Sequence, residues 1–176
     1  MHYKTDTIFN RLFDDIKSGT EEEKTLYKYL ITNILLNEEV IKLLSIPHHK
    51  NTTRLMHCLH VSYRCFLVSY RHKMDYKSAA IGGLLHDFCL VRKGKYIKKG
   101  YKDIWCLYHP QVALENAEKH FVVTDIAKDM IVKHMFPMAL SMPKYKETYL
   151  IIYWDKYYAI RERCTKNKKF IIPKTA

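Results

Sequence analysis

Glycine and proline are scarce in this 176-residue chain, with five of each, which argues against a low-complexity or loop-dominated protein. No apolar run approaches the ~20 residues of a membrane span. Residues 1–6 carry no hydrophobic signal core, so a cytoplasmic chain without a membrane partner is expected. The five cysteines are odd in number and form no CxxC pair. They read as reduced thiols, not as a disulfide framework or a cysteine zinc site. Also missing is any run of five consecutive basic residues, although the net charge is +12. That charge suits an anionic partner. Nucleic acid is one candidate, but no helix-turn-helix signature or RNA-binding aromatic motif accompanies it. The oligomeric state is left open.

Hydrophobic residues make up 48% of the chain, enough for a substantial core in a single mostly helical domain. Ile8, Leu12, Phe13 and Ile16 have helical spacing, and Ser18-Gly19-Thr20 interrupts it. Thr20 is expected to cap a second helix with Glu21, Glu22 and Glu23 in its first turn. Leu26, Tyr29, Leu30, Asn33 and Ile34 would form its inner face. Residues 1–45 are thus expected to be a helical extension without chemistry, packing on a core of residues 46–165. Residues 166–176 form a basic tail.

The core segment opens with a connector holding Pro47 and the pair His48-His49, which reads as solvated or as a substrate contact. Asn51 or Thr52 is expected to cap the next helix. The broad apolar surface of that helix (Leu55, Cys58, Leu59, Val61, Cys65, Phe66) makes it central, and it carries His57 and His60. A small, apolar helix then runs through Gly82-Gly83-Leu84-Leu85 into His86-Asp87. Each of its two glycines costs roughly 1 kcal/mol against alanine, so a close approach of a second backbone or a ligand is expected there. The basic loop 91–104 reads either as a cover for a polyanion or as solvated chain. Tyr108-His109-Pro110 is expected to open a helix with Pro110 in its first turn. Thr124 would cap another, with Ala127, Ile131 and His134 on one face. The last helix, over about residues 146–163, places Asp155 after six apolar residues. A buried carboxylate there needs a cation, either a metal or a Lys or Arg partner.

The order His57, His86-Asp87, His109, His134, Asp155 is more specific than any one member. Separate helices converging on a centre can each contribute inward ligands. Nitrogen and carboxylate donors without thiolate suit Fe, Mn, Zn, Co or Ni.

This order resembles the HD-domain superfamily of metal-dependent phosphohydrolases over about residues 50–163. His57-Cys58-Leu59-His60-Val61 is similar to the family's first histidine segment. Leu84-Leu85-His86-Asp87 matches the motif that names the family, and Asp155 matches its closing aspartate. The resemblance implies an all-α helical bundle with extra N-terminal helices, in which His57, His86, Asp87 and Asp155 hold one ion. His109 and His134 resemble the added ligands of the dinuclear branch, in which Asp87 would bridge two ions and be the catalytic carboxylate. Two ions are therefore expected, Fe or Mn first, with Zn, Co and Ni as alternatives. The activity implied is hydrolysis of a nucleotide or related phosphate ester by a metal-activated water.

Asn51-Thr52-Thr53-Arg54, Lys133-His134-Met135-Phe136-Pro137 and Asp155-Lys156-Tyr157 look closer to a bacterial subgroup of small HD proteins. Two departures stand out. The lysine that often follows the His-Asp pair is replaced within Phe88-Cys89-Leu90, and the glycine-tyrosine-proline motif of cyclic-dinucleotide enzymes is absent. A non-catalytic module that binds metal and a phosphorylated ligand is the alternative. Lys133 and Arg64 are candidate phosphate cations that also read as ordinary surface charges. His60 is an alternative to His57.

Overall fold

The computed structural model describes residues 2–48, 52–91 and 104–164. The expected basic loop, save its ends, the basic tail and His49 lie outside them. Within them the chain is all-α apart from one short pair of strands. Helices α1 (His2–Ile16), α2 (Glu21–Leu35) and α3 (Glu38–Ile41) lead through a 3-10 turn (Lys42–Ser45) to β1 (Pro47–His48), which pairs antiparallel with β2 (Thr52–Thr53). Five helices follow: α4 (Arg54–Arg71), α5 (Tyr76–Leu85), α6 (Trp105–His120), α7 (Asp125–Lys133) and α8 (Lys146–Cys164). None of the described helices is long and apolar enough to cross a membrane.

Local sequence accounts for most boundaries. Thr20 and Glu23 form a reciprocal capping box at α2, which satisfies two orphan N–H groups at once. Asn37, Asp75 and Thr124 accept backbone N–H groups at the starts of α3, α5 and α7. At α4 the cap is Thr53, whose hydroxyl accepts from Met56 N, not Asn51 or Thr52. Pairing of the two strands ends at Thr53, so the first residue free to turn into the helix is the one after it.

Two expectations need correction. The inner face of α2 is set by Glu23, Tyr27, Ile31, Ile34 and Leu35, whereas Tyr29 is 80% exposed. The helix is turned so that Tyr27 points inward, where its hydroxyl donates to Ser62 Oγ at 2.8 Å. Likewise α6 starts at Trp105, upstream of Tyr108, and Pro110 lies inside it. Backbone bonds from Leu107 and Tyr108 to the Ile104 carbonyl close the first turn before the proline is reached.

Helix α4 is the centre of the molecule, packed by α5 and α8 and touched by α1 and α2. Phe9, Tyr27, Tyr63 and Phe66 join the N-terminal helices to it in one apolar cluster. Helix α5 lies between α4 and α7, and its glycines explain how. A Cβ on Gly83 would sit 2.6 Å from Ser62 Cα, and one on Gly82 would sit 3.2 Å from Ala127 Cα. Backbones meet on both sides, as expected from the paired glycines. Ser62 also donates to the Ala80 carbonyl at 2.6 Å. Helix α5 therefore delivers His86 and Asp87, the residues that follow it, into the interior.

Candidate metal centre

The six residues singled out from sequence come together. His57 lies in the first turn of α4, His86 and Asp87 follow α5, His109 lies within α6, His134 follows α7, and Asp155 is midway along α8. All four histidines and Asp87 are buried. His57 Nε2 is 3.0 Å from Asp155 Oδ1, and His86 Nε2 is 3.7 Å from the same oxygen. His109 Nε2 lies 3.3 Å from Asp87 Oδ1 and 2.9 Å from His134 Nε2. Asp155 therefore faces imidazoles, and among the described residues no Lys or Arg forms an ion pair with it.

Ring orientation follows from the helix ends. The Nδ1 atoms of His86, His109 and His134 donate to the carbonyls of Gly83 (2.8 Å), Trp105 (2.5 Å) and Ile131 (2.8 Å). A carbonyl only accepts, so each Nδ1 carries its proton and each neutral ring turns an Nε2 lone pair inward. His86 Nε2 is buried with no hydrogen-bond partner. His109 and His134 present two lone pairs to each other, which repel unless a cation lies between them. Their separation matches the roughly 3 Å expected of two nitrogens bound at right angles, each about 2.0–2.1 Å from one ion. The donor set fits a metal.

The electrostatics of His109 and His134 agree, whereas His57 is held as a cation by its two carboxylates. Burial pushes the His134 pKa down to about 3, and the neighbouring His86 and His109 add to the shift. Burial also lowers His109, against the pull of Asp87. Both rings are neutral near pH 7. Burial opposes the ionisation of Asp87, but His109, His86, His48 and Arg54 outweigh it and hold the carboxyl far below its ordinary range. Asp155 is held down in the same way by His57 and His86. For His57 burial favours the neutral ring, yet Glu162 and Asp155 overcome it and raise the pKa to about 10.

Three groups of donors, His48/His57/Glu162, His57/His86/Asp155 and His86/Asp87/His134, each have ligand atoms within 4.8 Å of one another. The buried His, Asp and Glu groups are thus suited to hold a metal ion.

The alternatives separate cleanly. His60 stacks on Tyr158 with its Nε2 3.5 Å from Asp15 Oδ2, away from the cluster. Lys133 pairs with Asp129 at 2.5 Å. Arg64 donates to the Tyr158 hydroxyl and to Ser18.

Four neighbours surround the cluster; the sequence offers His48 as solvated or as a substrate contact and gives the other three no place in the site. The His48 ring lies against His57, tilted by 35° with centroids 4.1 Å apart, and is 3.7 Å from Asp87. Arg54 holds the segment after the motif by donating to the Cys89 and Val91 carbonyls, with its Nε 3.9 Å from Asp87 Oδ2. Lys156 donates to the His134 carbonyl at 3.2 Å. Glu162 accepts from His57 Nδ1 at 3.0 Å. Only Glu162 had a readable signal: it follows Asp155 by seven residues, two helical turns along the same face.

A cavity of about 600 Å³ opens onto Asp87, His109, His134 and Asp155. Arg54, Lys156 and Arg163 supply positive charge around it, and Trp105, Met138 and Ile160 supply apolar wall. Comparison of the chain with protein-family models, with curated proteins and with solved structures finds no match.

Proposed function

We propose that this chain is a dinuclear, metal-dependent phosphohydrolase of the HD-domain type, acting on a nucleotide or related phosphate ester. The observation that carries the reading is the convergence of three imidazoles, each fixed through Nδ1, on Asp87 and Asp155. Fixed nitrogen donors with two carboxylates form an acceptor-only cluster that calls for cations.

In this reading His57, His86, Asp87 and Asp155 hold one ion, while His109, His134 and Asp87 hold the second. Such ions supply acidified water and Lewis-acid polarisation of a phosphoryl group. The chain's own residues do the rest. Asp87, shared by both ligand sets, would supply the negative charge that offsets two cations in a buried pocket. Arg54, Lys156 and Arg163 draw a phosphorylated ligand into the cavity and orient it. Trp105, Met138 and Ile160 give its non-reacting part an apolar wall and limit water access. Arg54, beside Asp87, provides positive charge that a lysine after the motif supplies in many HD proteins.

Metal analysis of anaerobically purified protein, followed by a phosphate-release screen over nucleotides and phosphate esters, tests the proposal. Two ions per chain and phosphate release that disappears in Asp87→Asn are expected. The missing motif lysine favours the second reading, a metal and phosphate-ligand binding module, and full metal loading with no release from any ester would select it.

A further inference from the structure

Three of the four imidazoles are oriented by their own helices, through carbonyls three or four residues back. His57 is the exception. Its Nδ1 faces Glu162 Oε1 and its Nε2 faces Asp155 Oδ1, both at 3.0 Å. Glu162 and Asp155 lie on one face of α8, two turns apart, so a single helix grips the ring from both ends.

Glu162 is costly where it stands. It is 9% exposed, and its second oxygen, Oε2, is buried without a hydrogen-bond partner. Among the described residues no Lys or Arg forms an ion pair with it; its one salt bridge is to His57. A half-satisfied buried carboxylate destabilises a fold, so its place is accounted for by what it does to His57. A carboxylate behind a ligating imidazole fixes the ring's tautomer and orientation and raises the basicity of the far nitrogen. The His48 ring, tilted by 35° with its centroid 4.1 Å away, packs against the same imidazole.

We propose that Glu162 is a positioning residue of the metal centre: by accepting the Nδ1–H of His57 it turns Nε2, beside Asp155, into a nitrogen ligand. The inference rests on the metal-centre reading above and concerns only the ion held by His57, His86 and Asp155.

The test uses the full chain with Glu162→Gln and Glu162→Ala, titrated calorimetrically with Mn²⁺ and Zn²⁺. Imidazole nitrogen shifts are read by NMR in the Zn²⁺ form. Loss of a supporting partner of this kind weakens metal binding about 10–100-fold. Glu162→Ala should weaken one of two ions by that factor and leave the other unchanged. Glu162→Gln, whose amide oxygen still accepts from Nδ1, should recover most of the loss. His57 should show a protonated Nδ1 in wild type and in Glu162→Gln, and a tautomer mixture in Glu162→Ala.

Wild-type affinity and an unchanged His57 signature in Glu162→Ala would overturn the inference while the metal centre stands. So would equal weakening of both ions in folded Glu162→Gln, or an ion ligated directly by Glu162. A wild-type chain that takes up no ion would remove the metal centre itself, and the inference with it.

Discussion

His109 and His134 meet through their Nε2 atoms at 2.9 Å, while each ring's Nδ1 is committed to a carbonyl of its own helix. A proton cannot sit between the two nitrogens without charging a ring whose pKa burial has lowered. This contact is where the requirement for a cation is sharpest. His109→Ala and His134→Ala should each remove one ion of two, and anomalous diffraction of wild-type crystals should show two peaks about 3.5–4 Å apart. A single peak beside His57 and Asp155, with His109 and His134 uninvolved, would reduce the centre to one ion.

Asp87 carries the heaviest demand. Asp87→Asn nearly preserves shape but removes the charge that two cations share, so it should abolish phosphate release and lower metal content. His60→Gln is the matched control, because His60 lies away from the cluster against Tyr158 and Asp15. It should keep most activity and all of the metal. Turnover and metal stoichiometry of the two folded variants decide the matter: near-normal turnover in Asp87→Asn would sink the bridging-carboxylate mechanism.

Metal binding should also appear as stability. Ions that bind only the native state stabilise it by about 2.7 kcal/mol each at a hundredfold excess over the dissociation constant, and so raise its melting temperature. Removing metal with a chelator should lower Tm in wild type and change little in an Asp87→Asn/His134→Ala double variant. An equal shift in both would place the bound metal elsewhere.

A pH effect is expected away from the site. Glu23 accepts from Arg71 Nε and Nη2 at 2.7 and 2.8 Å. That pairing, with the bond from Thr20, outweighs burial and lowers the Glu23 pKa from 4.5 to about 2. A depressed carboxyl contributes stability that is fully present above 4.5 and lost as pH falls through about 2. Glu23→Gln, which can still accept from Thr20 N, should destabilise the protein by about 1 kcal/mol near pH 7, since Arg71 is half exposed. Denaturant melts at pH 7 and pH 2 should show that difference shrinking toward zero at the lower pH.

The site was legible in the sequence because its ligands are chemically rare in their places. His86-Asp87 ends an apolar helix, and Asp155 follows six apolar residues; both stand out from local pattern alone. The caps at Thr20 and Thr124 were equally readable. What escaped notice depends on tertiary geometry. The inward face of α2 is chosen by the Tyr27–Ser62 bond across 35 residues, which local periodicity cannot distinguish from a face turned by one position. The early start of α6 is set by backbone bonding at Ile104, whereas Pro110 suggested a later one. His48 reaches the site because the short strand pair folds the connector back beside α4. Arg54 reaches it from the first position of α4, where no local signal marks it.

Gly83 remains for its mutational consequence. With 2.6 Å between its would-be Cβ and Ser62 Cα, Gly83→Ala should destabilise the fold by roughly 1–3 kcal/mol, although alanine gains about 1 kcal/mol in helix propensity. Gly82→Ala should cost less, since its backbone neighbour, Ala127 Cα, is 3.2 Å away and the Met130 Sδ at 3.0 Å can move; melting temperatures of the two variants check the order. The wider consequence concerns tolerance. Side-chain contacts can drift by compensating substitutions, one residue growing as its neighbour shrinks. A glycine set against a neighbour's Cα leaves no side-chain volume to exchange, so the backbones at Gly83 and Ser62 set the spacing of α5 from α4. His86 and Asp87 inherit that fixity, and the positions of their donor atoms are insulated from changes in the surrounding apolar core.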